Sequence, residues 1–265
     1  MSGGELPRQV LIIDAEWERS RVVAQILRAT GGYRVSWTAT HEEGWMLLEA
    51  AHPTIVFVEL SPPSFEGLVF TRELRLSELA CRKVPVIMLA GHPTETVIRA
   101  ARDAGVSEFL RSPFNVRDLM LRVDAVTLKQ RGWIEAINYV GPDRRRFDSA
   151  TYSGPRKRRT DMGNGSAEDA RIAEALKIMK AALDAIHSHP RQALRSLLAQ
   201  AEELESAAAA KADYTMARGA AELKDYLDTA SRTGSLSREQ LAAYASGLLG
   251  ASKDGRSVAR RSVAA

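Results

Sequence analysis

Seven basic residues lie within 141–160, GPDRRRFDSATYSGPRKRRT, and six of them are arginine. A planar guanidinium grips phosphate or carboxylate through two parallel hydrogen bonds and stacks on flat rings. The segment's two acids, Asp143 and Asp148, leave it at +5, above the +4 of the whole chain, so all other residues sum to −1. Two similar arms are visible. A Gly-Pro pair precedes Arg144, Arg145 and Arg146, and a second precedes Arg156, Lys157, Arg158 and Arg159. Tyr139, Phe147 and Tyr152 are interleaved. Arginine with aromatics suits a nucleotide, a nucleic-acid strand or an acidic protein face. The plainer reading of a basic run is solvated linker.

The other chemistry-bearing residue types offer less. His187 and His189 stand just before Pro190, where a helix should end, and a cation is favoured at a helix C-terminus. A histidine phosphotransfer helix wants a Lys-Gly pair shortly after its histidine. Pro190-Arg191 and Gln192-Ala193 stand at those offsets instead. His41, His52 and His92 show no metal-ligand spacing. Cys81 is the single cysteine, which excludes an intramolecular disulfide and fits a reducing, cytoplasmic compartment. There is no P-loop, GxSxG or dinucleotide fingerprint. No catalytic residue and no metal are expected. Trp17, Trp37, Trp45 and Trp133 follow no regular spacing and read as core or interface residues, with Trp133 the best interface candidate.

The elements that must position these groups fall into two patterns. The first ~130 residues alternate strand-like and helix-like segments as βαβ units do. Strands are expected at 10–13, 34–37, 55–60, 84–90 and 106–110. Helices are expected at 20–29, 42–51, 68–79, 94–104 and 116–129, the last with Asn115 as N-cap. Five such units imply a parallel, doubly wound sheet with its site at the carboxyl ends of the strands. After the arginine segment and the GNGS at 163–166, helical periodicity runs to residue 249. Ile172, Ala175, Leu176, Met179 and Leu183 form one stripe. Leu194, Leu197, Leu198, Ala201 and Leu204 form a second, and Ala220, Leu223, Tyr226 and Leu227 a third. Pro190 marks a helix start and Gly234 a stop. This pattern implies a small helical bundle. With 45% hydrophobic residues the chain can bury sizeable cores. No signal-peptide architecture opens it, and no run approaches the ~20 apolar residues a membrane span needs.

Residues 8–130 resemble the CheY-like receiver domain of two-component response regulators. The landmark spacings hold while most landmark residues differ. The family's Mg²⁺-binding acidic pair falls on Asp14 and Ala15, with Glu16 next. VELSPPSFEG puts Glu59 at the phosphoacceptor aspartate and Gly67 at the following glycine. Ala90 stands for the small hydroxyl residue that follows the phosphoryl group. RSPF puts Ser112 at the conserved lysine, before Pro113, and Phe109 falls on the aromatic switch position.

Each change points the same way. Without a carboxylate at 15, a Mg²⁺ site loses a hard oxygen ligand. Glu16 would face away if it continued the strand. Without a lysine at 112, no cation balances the acceptor's charge, and Ala90 offers no hydroxyl donor. The extra methylene of Glu59 displaces any in-line geometry. The resemblance therefore implies a degenerate receiver, or pseudoreceiver. It also implies an α/β fold, five-stranded, parallel and flavodoxin/CheY-like, followed by a small all-α bundle. The expected organisation is a pseudoreceiver at 8–131, an arginine-rich linker at 132–167, a helical domain at 168–250 and a disordered tail at 251–265.

Some receiver-like proteins bind cyclic di-GMP through an arginine-rich extension, and this segment is similar in position and composition. The expected ligand residues are Arg144, Arg145, Arg146, Arg156, Arg158, Arg159 and Tyr152. The expected function is a non-phosphorylatable, non-enzymatic adaptor acting on a protein partner, with homodimerisation open and gating by a phosphorylated guanine ligand. The alternatives are a cyclic di-GMP effector and a nucleic-acid-binding protein, and residual phosphoacceptance at Glu59 ranks last.

Overall fold

A computed structural model describes residues 8–60, 66–144, 167–233, 236–237 and 239–250. Five short apolar runs become strands: β1 (Gln9–Ile13), β2 (Arg34–Thr38), β3 (Ile55–Glu59), β4 (Val86–Ala90) and β5 (Glu108–Arg111). They alternate with α1 (Trp17–Gly31), α2 (His41–Ala51), α3 (Glu66–Leu76), α4 (Glu95–Asp103) and α5 (Val116–Thr127). All pairings are parallel and the order is β2-β1-β3-β4-β5.

Strand alternation sends side chains to both faces, and helices cover both. Val10, Ile12, Phe57, Ile87 and Leu89 meet Val23 and Leu27 of α1 and Leu119 and Val123 of α5. Leu11, Ile13, Val56, Val58 and Val86 turn the other way, onto Leu48 of α2 and Phe70 and Leu74 of α3. Met88 and Ala90 cluster with Leu60 and with Ala101 of α4. Burying each such side chain contributes roughly 1.5–3 kcal/mol. This double burial is why the strands read as unbroken apolar runs.

Two local outcomes differ from the periodicity. α3 stops at Leu76, because Ser77 turns both its backbone N–H and its hydroxyl onto the carbonyl of Leu74. Such local bonding competes with helix continuation. The second outcome lies in the segment read as linker, which opens with a hairpin of β6 (Trp133–Ala136) and β7 (Tyr139–Pro142). The Gly-Pro composition of 141–142 hid the strand.

The chain divides into two compact units, and the division falls inside this hairpin. Residues up to Ile134 group with Tyr139–Arg144, whereas Glu135–Asn138 group with the C-terminal helices. In the first unit, buried Arg75 donates to the carbonyls of Gly105, Arg82 and Val84 at 3.0, 2.6 and 2.8 Å. Its guanidinium lies 5.2 Å from the centre of the Trp133 ring. Gly105, at φ 91°, is required there, since a Cβ would meet the Val140 carbonyl at 2.7 Å and Arg75 Cγ at 2.8 Å.

The second unit packs α6 (Ala167–Asp184), α7 (Pro190–Ala210), α8 (Tyr214–Thr233) and a last helix over 239–250. Its core holds Leu176, Met179, Leu197, Leu204 and Leu223, from the stripes that the periodicity marked, together with Leu248 of the last helix. Short connections make α6, α7 and α8 successive neighbours, with Arg171 of α6 paired to Glu203 of α7 at 2.6 Å. On α7, Gln192, Ser196 and Gln200 share one face at i, i+4 and i+8. Ser196 and Gln200 donate to the Glu135 carbonyl, and Gln192 to the Glu135 carboxylate and the Ala136 carbonyl. No described helix is long and apolar enough to cross a membrane.

Candidate functional site

The sheet order reverses between β1 and β3, where an open parallel sheet leaves a crevice at its carboxyl end. Register places the pieces. Ile13 pairs with Val58, so Asp14, one residue past β1, comes level with Glu59, the last residue of β3. Gly67 lets α3 start hard against that strand end, because a Cβ there would lie 2.1 Å from the Glu59 carbonyl. Helix α1 begins just past Asp14, and helical side chains lean toward the N-terminus. That lean brings Arg19 back over the crevice.

Arg19 is the centre of the cluster. Its Nε donates to Asp14 Oδ2 at 2.7 Å and its Nη2 to Asp14 Oδ1 at 2.6 Å. The same Nη2 donates to Glu59 Oε1 at 2.7 Å, and Nη1 pairs with Glu16 Oε2 at 2.8 Å. Glu59's other oxygen, Oε2, accepts the backbone N–H of Ala15 at 3.0 Å. Asp14 Oδ1 also accepts the backbone N–H of Glu16 at 2.8 Å. The Asp14 side chain is fully buried and the Arg19 side chain is 12% exposed.

Both partners of the pair are shifted upward. For Arg19, burial opposes the charge, but the hydrogen bonds and charges of Asp14 and Glu59 outweigh it and hold the guanidinium protonated. For Asp14, burial is the largest influence and raises the carboxyl above its ordinary value. Arg19 and the Glu16 N–H only partly offset that, and the Glu59 charge adds to it. The short, bidentate geometry identifies an ionised pair at neutral pH.

The remaining landmark positions lie nearby without adding a charge. Ala90 ends β4 as a buried methyl group. Ser112 follows β5 and donates its backbone N–H to the Ala90 carbonyl at 2.8 Å, and its buried hydroxyl has no partner among the described residues. Phe109 is half-buried against the cluster of Met88 and Ala90.

Two expectations are corrected here. The acceptor carboxylate does have a balancing cation, supplied by α1 rather than by residue 112. Glu16 does return to the site, because β1 has ended at Ile13 and strand alternation no longer governs it. Arg19 is the member of this cluster that sequence reasoning missed. Its signals were the Glu16-to-Arg19 spacing of three and an arginine placed in a first helical turn, where the dipole disfavours it.

The receiver resemblance implies Mg²⁺ at this place. Mg²⁺ demands octahedral oxygen ligands at about 2.0–2.1 Å. Position 15 supplies a methyl group, both oxygens of Asp14 and Oε1 of Glu59 are turned onto one guanidinium, and Oε2 of Glu59 is held by the Ala15 N–H. The residues as arranged do not fit the ion.

Of the arginine arms, only Arg144 lies among the described residues. Its guanidinium pairs with Asp103 at 2.8 Å and sits 3.8 Å from the centre of the Tyr139 ring. Arg145, Arg146, Arg156, Arg158, Arg159 and Tyr152 lie outside the described residues, as does the tail expectation at 251–265. Trp133, read as an interface candidate, is half-buried, with Arg75, Arg82 and Lys83 around its ring at 5.2, 6.0 and 5.9 Å.

A family model described as the response regulator receiver domain matches residues 10–124. The chain is 26% identical over 126 residues to the transcriptional regulatory protein PdtaR of Mycobacterium tuberculosis, which covers 48% of this chain and 60% of that protein. It is 34% identical over 116 residues to the KDP operon transcriptional regulatory protein KdpE of Escherichia coli, which covers 43% of this chain and 48% of that one. The chain thus spans about half the length of these curated relatives. Among solved structures, a response regulator from Chloroflexus aurantiacus aligns at 24% identity with a TM-score of 0.42, over 45% of this chain and 97% of that chain. One from Thermotoga maritima aligns at 22% identity and 0.42, over 46% and 98%. The family match lies over the β2-β1-β3-β4-β5 sheet, and residues 10–124 of this chain are a response regulator receiver domain.

Proposed function

We propose that this chain is a signalling adaptor whose receiver domain engages a protein partner without being phosphorylated. The observation that carries this reading is the state of Glu59. One of its oxygens is held by Arg19 and the other by the Ala15 N–H. A phosphoacceptor needs a carboxylate oxygen free for in-line attack, a cation on the phosphoryl group and donors to its oxygens. Ala90 and Ser112 supply neither a hydroxyl at the first position nor a cation at the second. The helical unit offers the second docking surface of such an adaptor. Incubating the full chain with acetyl phosphate and Mg²⁺ is expected to leave its intact mass unchanged. A one-phosphoryl adduct mapping to Glu59 would overturn the reading.

A second reading concerns the arginine segment. The repeated Gly-Pro-basic arms support an effector of cyclic di-GMP or another phosphorylated guanine ligand. Arg144 is engaged with Asp103 and Tyr139, so this reading draws its ligand residues from Arg145, Arg146, Arg156, Arg158 and Arg159. Calorimetry with cyclic di-GMP at moderate salt is expected to show saturable binding that Arg146→Ala with Arg158→Ala abolishes. No heat from the unmodified chain removes this reading. Affinity for any RNA that falls steeply with salt would point to plain polyanion binding instead.

A further inference from the structure

We infer that Arg19 is the receiver's resident cation: its guanidinium takes the place of a divalent metal, and the carboxylates beneath it become a metal site only when Arg19 is removed. The inference concerns the same pocket as the proposed function and rests on that reading for the place of Glu59.

Three observations support it. First, one nitrogen, Nη2, bridges Asp14 and Glu59 at 2.6 and 2.7 Å, which is the bridging role a metal ion plays between two carboxylates. Second, the neighbouring Nη1 draws Glu16 into the same cluster at 2.8 Å. Three carboxylates therefore share one cation, which takes both oxygens of Asp14 and one oxygen each of Glu59 and Glu16 that a divalent ion would need. Third, the arginine is placed against electrostatic preference. The positive end of a helix dipole repels a cation in the first turn, so the site keeps Arg19 through its carboxylates. Removing the guanidinium leaves Asp14, Glu59 and Glu16 as hard oxygen donors without the cation they share, the donor type that Mg²⁺ and Mn²⁺ take.

The loop is held independently of Arg19. The Trp37 indole N–H donates to the Asp14 carbonyl at 3.0 Å, and Trp17 packs edge-on against Trp37 at 4.9 Å. The carboxylates should therefore stay converged when the arginine is replaced.

The test is Mn²⁺ binding to the full chain, read from the loss of the free-ion paramagnetic resonance signal with Mg²⁺ as competitor. Wild type is compared with Arg19→Ala and with Arg19→Gln, which keeps donors but no charge. Both variants are expected to bind one ion per chain at least about tenfold tighter than wild type, and adding Asp14→Asn should abolish the gain. Wild-type binding as tight as the variants' would overturn the inference, as would folded variants that bind no ion. If the variants fold only with Mg²⁺ present, the ion is replacing the guanidinium and the inference stands. If they fold in neither condition, it falls. An acyl phosphate on wild-type Glu59 would remove the proposed function, whereas the Mn²⁺ comparison decides the role of Arg19 by itself.

Discussion

An arginine in the first turn of α1 faces the positive end of a helix dipole, and this one is also largely buried. Both effects oppose it, the dipole by about 0.3–1 kcal/mol. Pairing with buried Asp14 and with Glu59 offsets them. The same burial gives Asp14 a pH signature. Its folded pKa lies above its ordinary 3.8, so the folded protein holds that proton more tightly than the unfolded chain does. Ionisation of Asp14 then detracts from stability as pH rises from the unfolded value through the folded one. Relative to wild type, Asp14→Asn is expected to gain in thermal midpoint as pH rises just above 3.8, and then to level off. A difference that falls with pH would mean that pairing outweighs burial at Asp14. At this scale the carboxylates were legible, because a strand end fixes where its last residue points. Arg19 was not, since the two carboxylates it bridges lie 5 and 40 residues away, and its i,i+3 spacing from Glu16 reads as an ordinary helix-surface pair. No spacing rule connects a helix side chain to a strand on the far side of a crossover.

Among the elements, the five strands and their helices follow from apolar runs and periodicity to within a few residues. Asn115 does cap α5, through a capping box with Asp118. The hairpin of β6 and β7 escaped because its residues are few and its second strand ends in Gly-Pro. What seats its base is Arg75, a charge without sequence cue. Burial pushes that guanidinium down to about 10, so it stays charged at neutral pH. Its three carbonyl partners depend on it. Arg75→Met preserves much of the volume but strands the carbonyls of Gly105, Arg82 and Val84. A loss of at least about 2 kcal/mol is expected in urea unfolding. An unchanged midpoint would show that Arg75 packs without anchoring. Helix α7 does the corresponding work in the other unit, where Gln192, Ser196 and Gln200 serve backbone groups of the hairpin tip. These polar positions were invisible beside the leucine stripe, since a polar residue on a buried face has no periodic signature of its own.

For the whole molecule, a receiver domain and a helical bundle each carry their own core, and the excess positive charge is concentrated between them in sequence. The division into two folds was legible from the change of period. The chemistry was legible only in outline, because the residue at each landmark position is read from the sequence while the partners it takes up are a matter of geometry. In the proposed reading, Arg19 closes the receiver pocket to metal and phosphoryl group together. Beryllofluoride tests it most directly, because the adduct needs both a free acceptor carboxylate and Mg²⁺ and does not hydrolyse away as an acyl phosphate does. With beryllofluoride and Mg²⁺ added to the full chain, the backbone amide spectrum of Asp14, Glu59, Ala90, Phe109 and Ser112 is predicted to stay unchanged. Saturable shifts at those residues, dependent on Mg²⁺, would contradict the account.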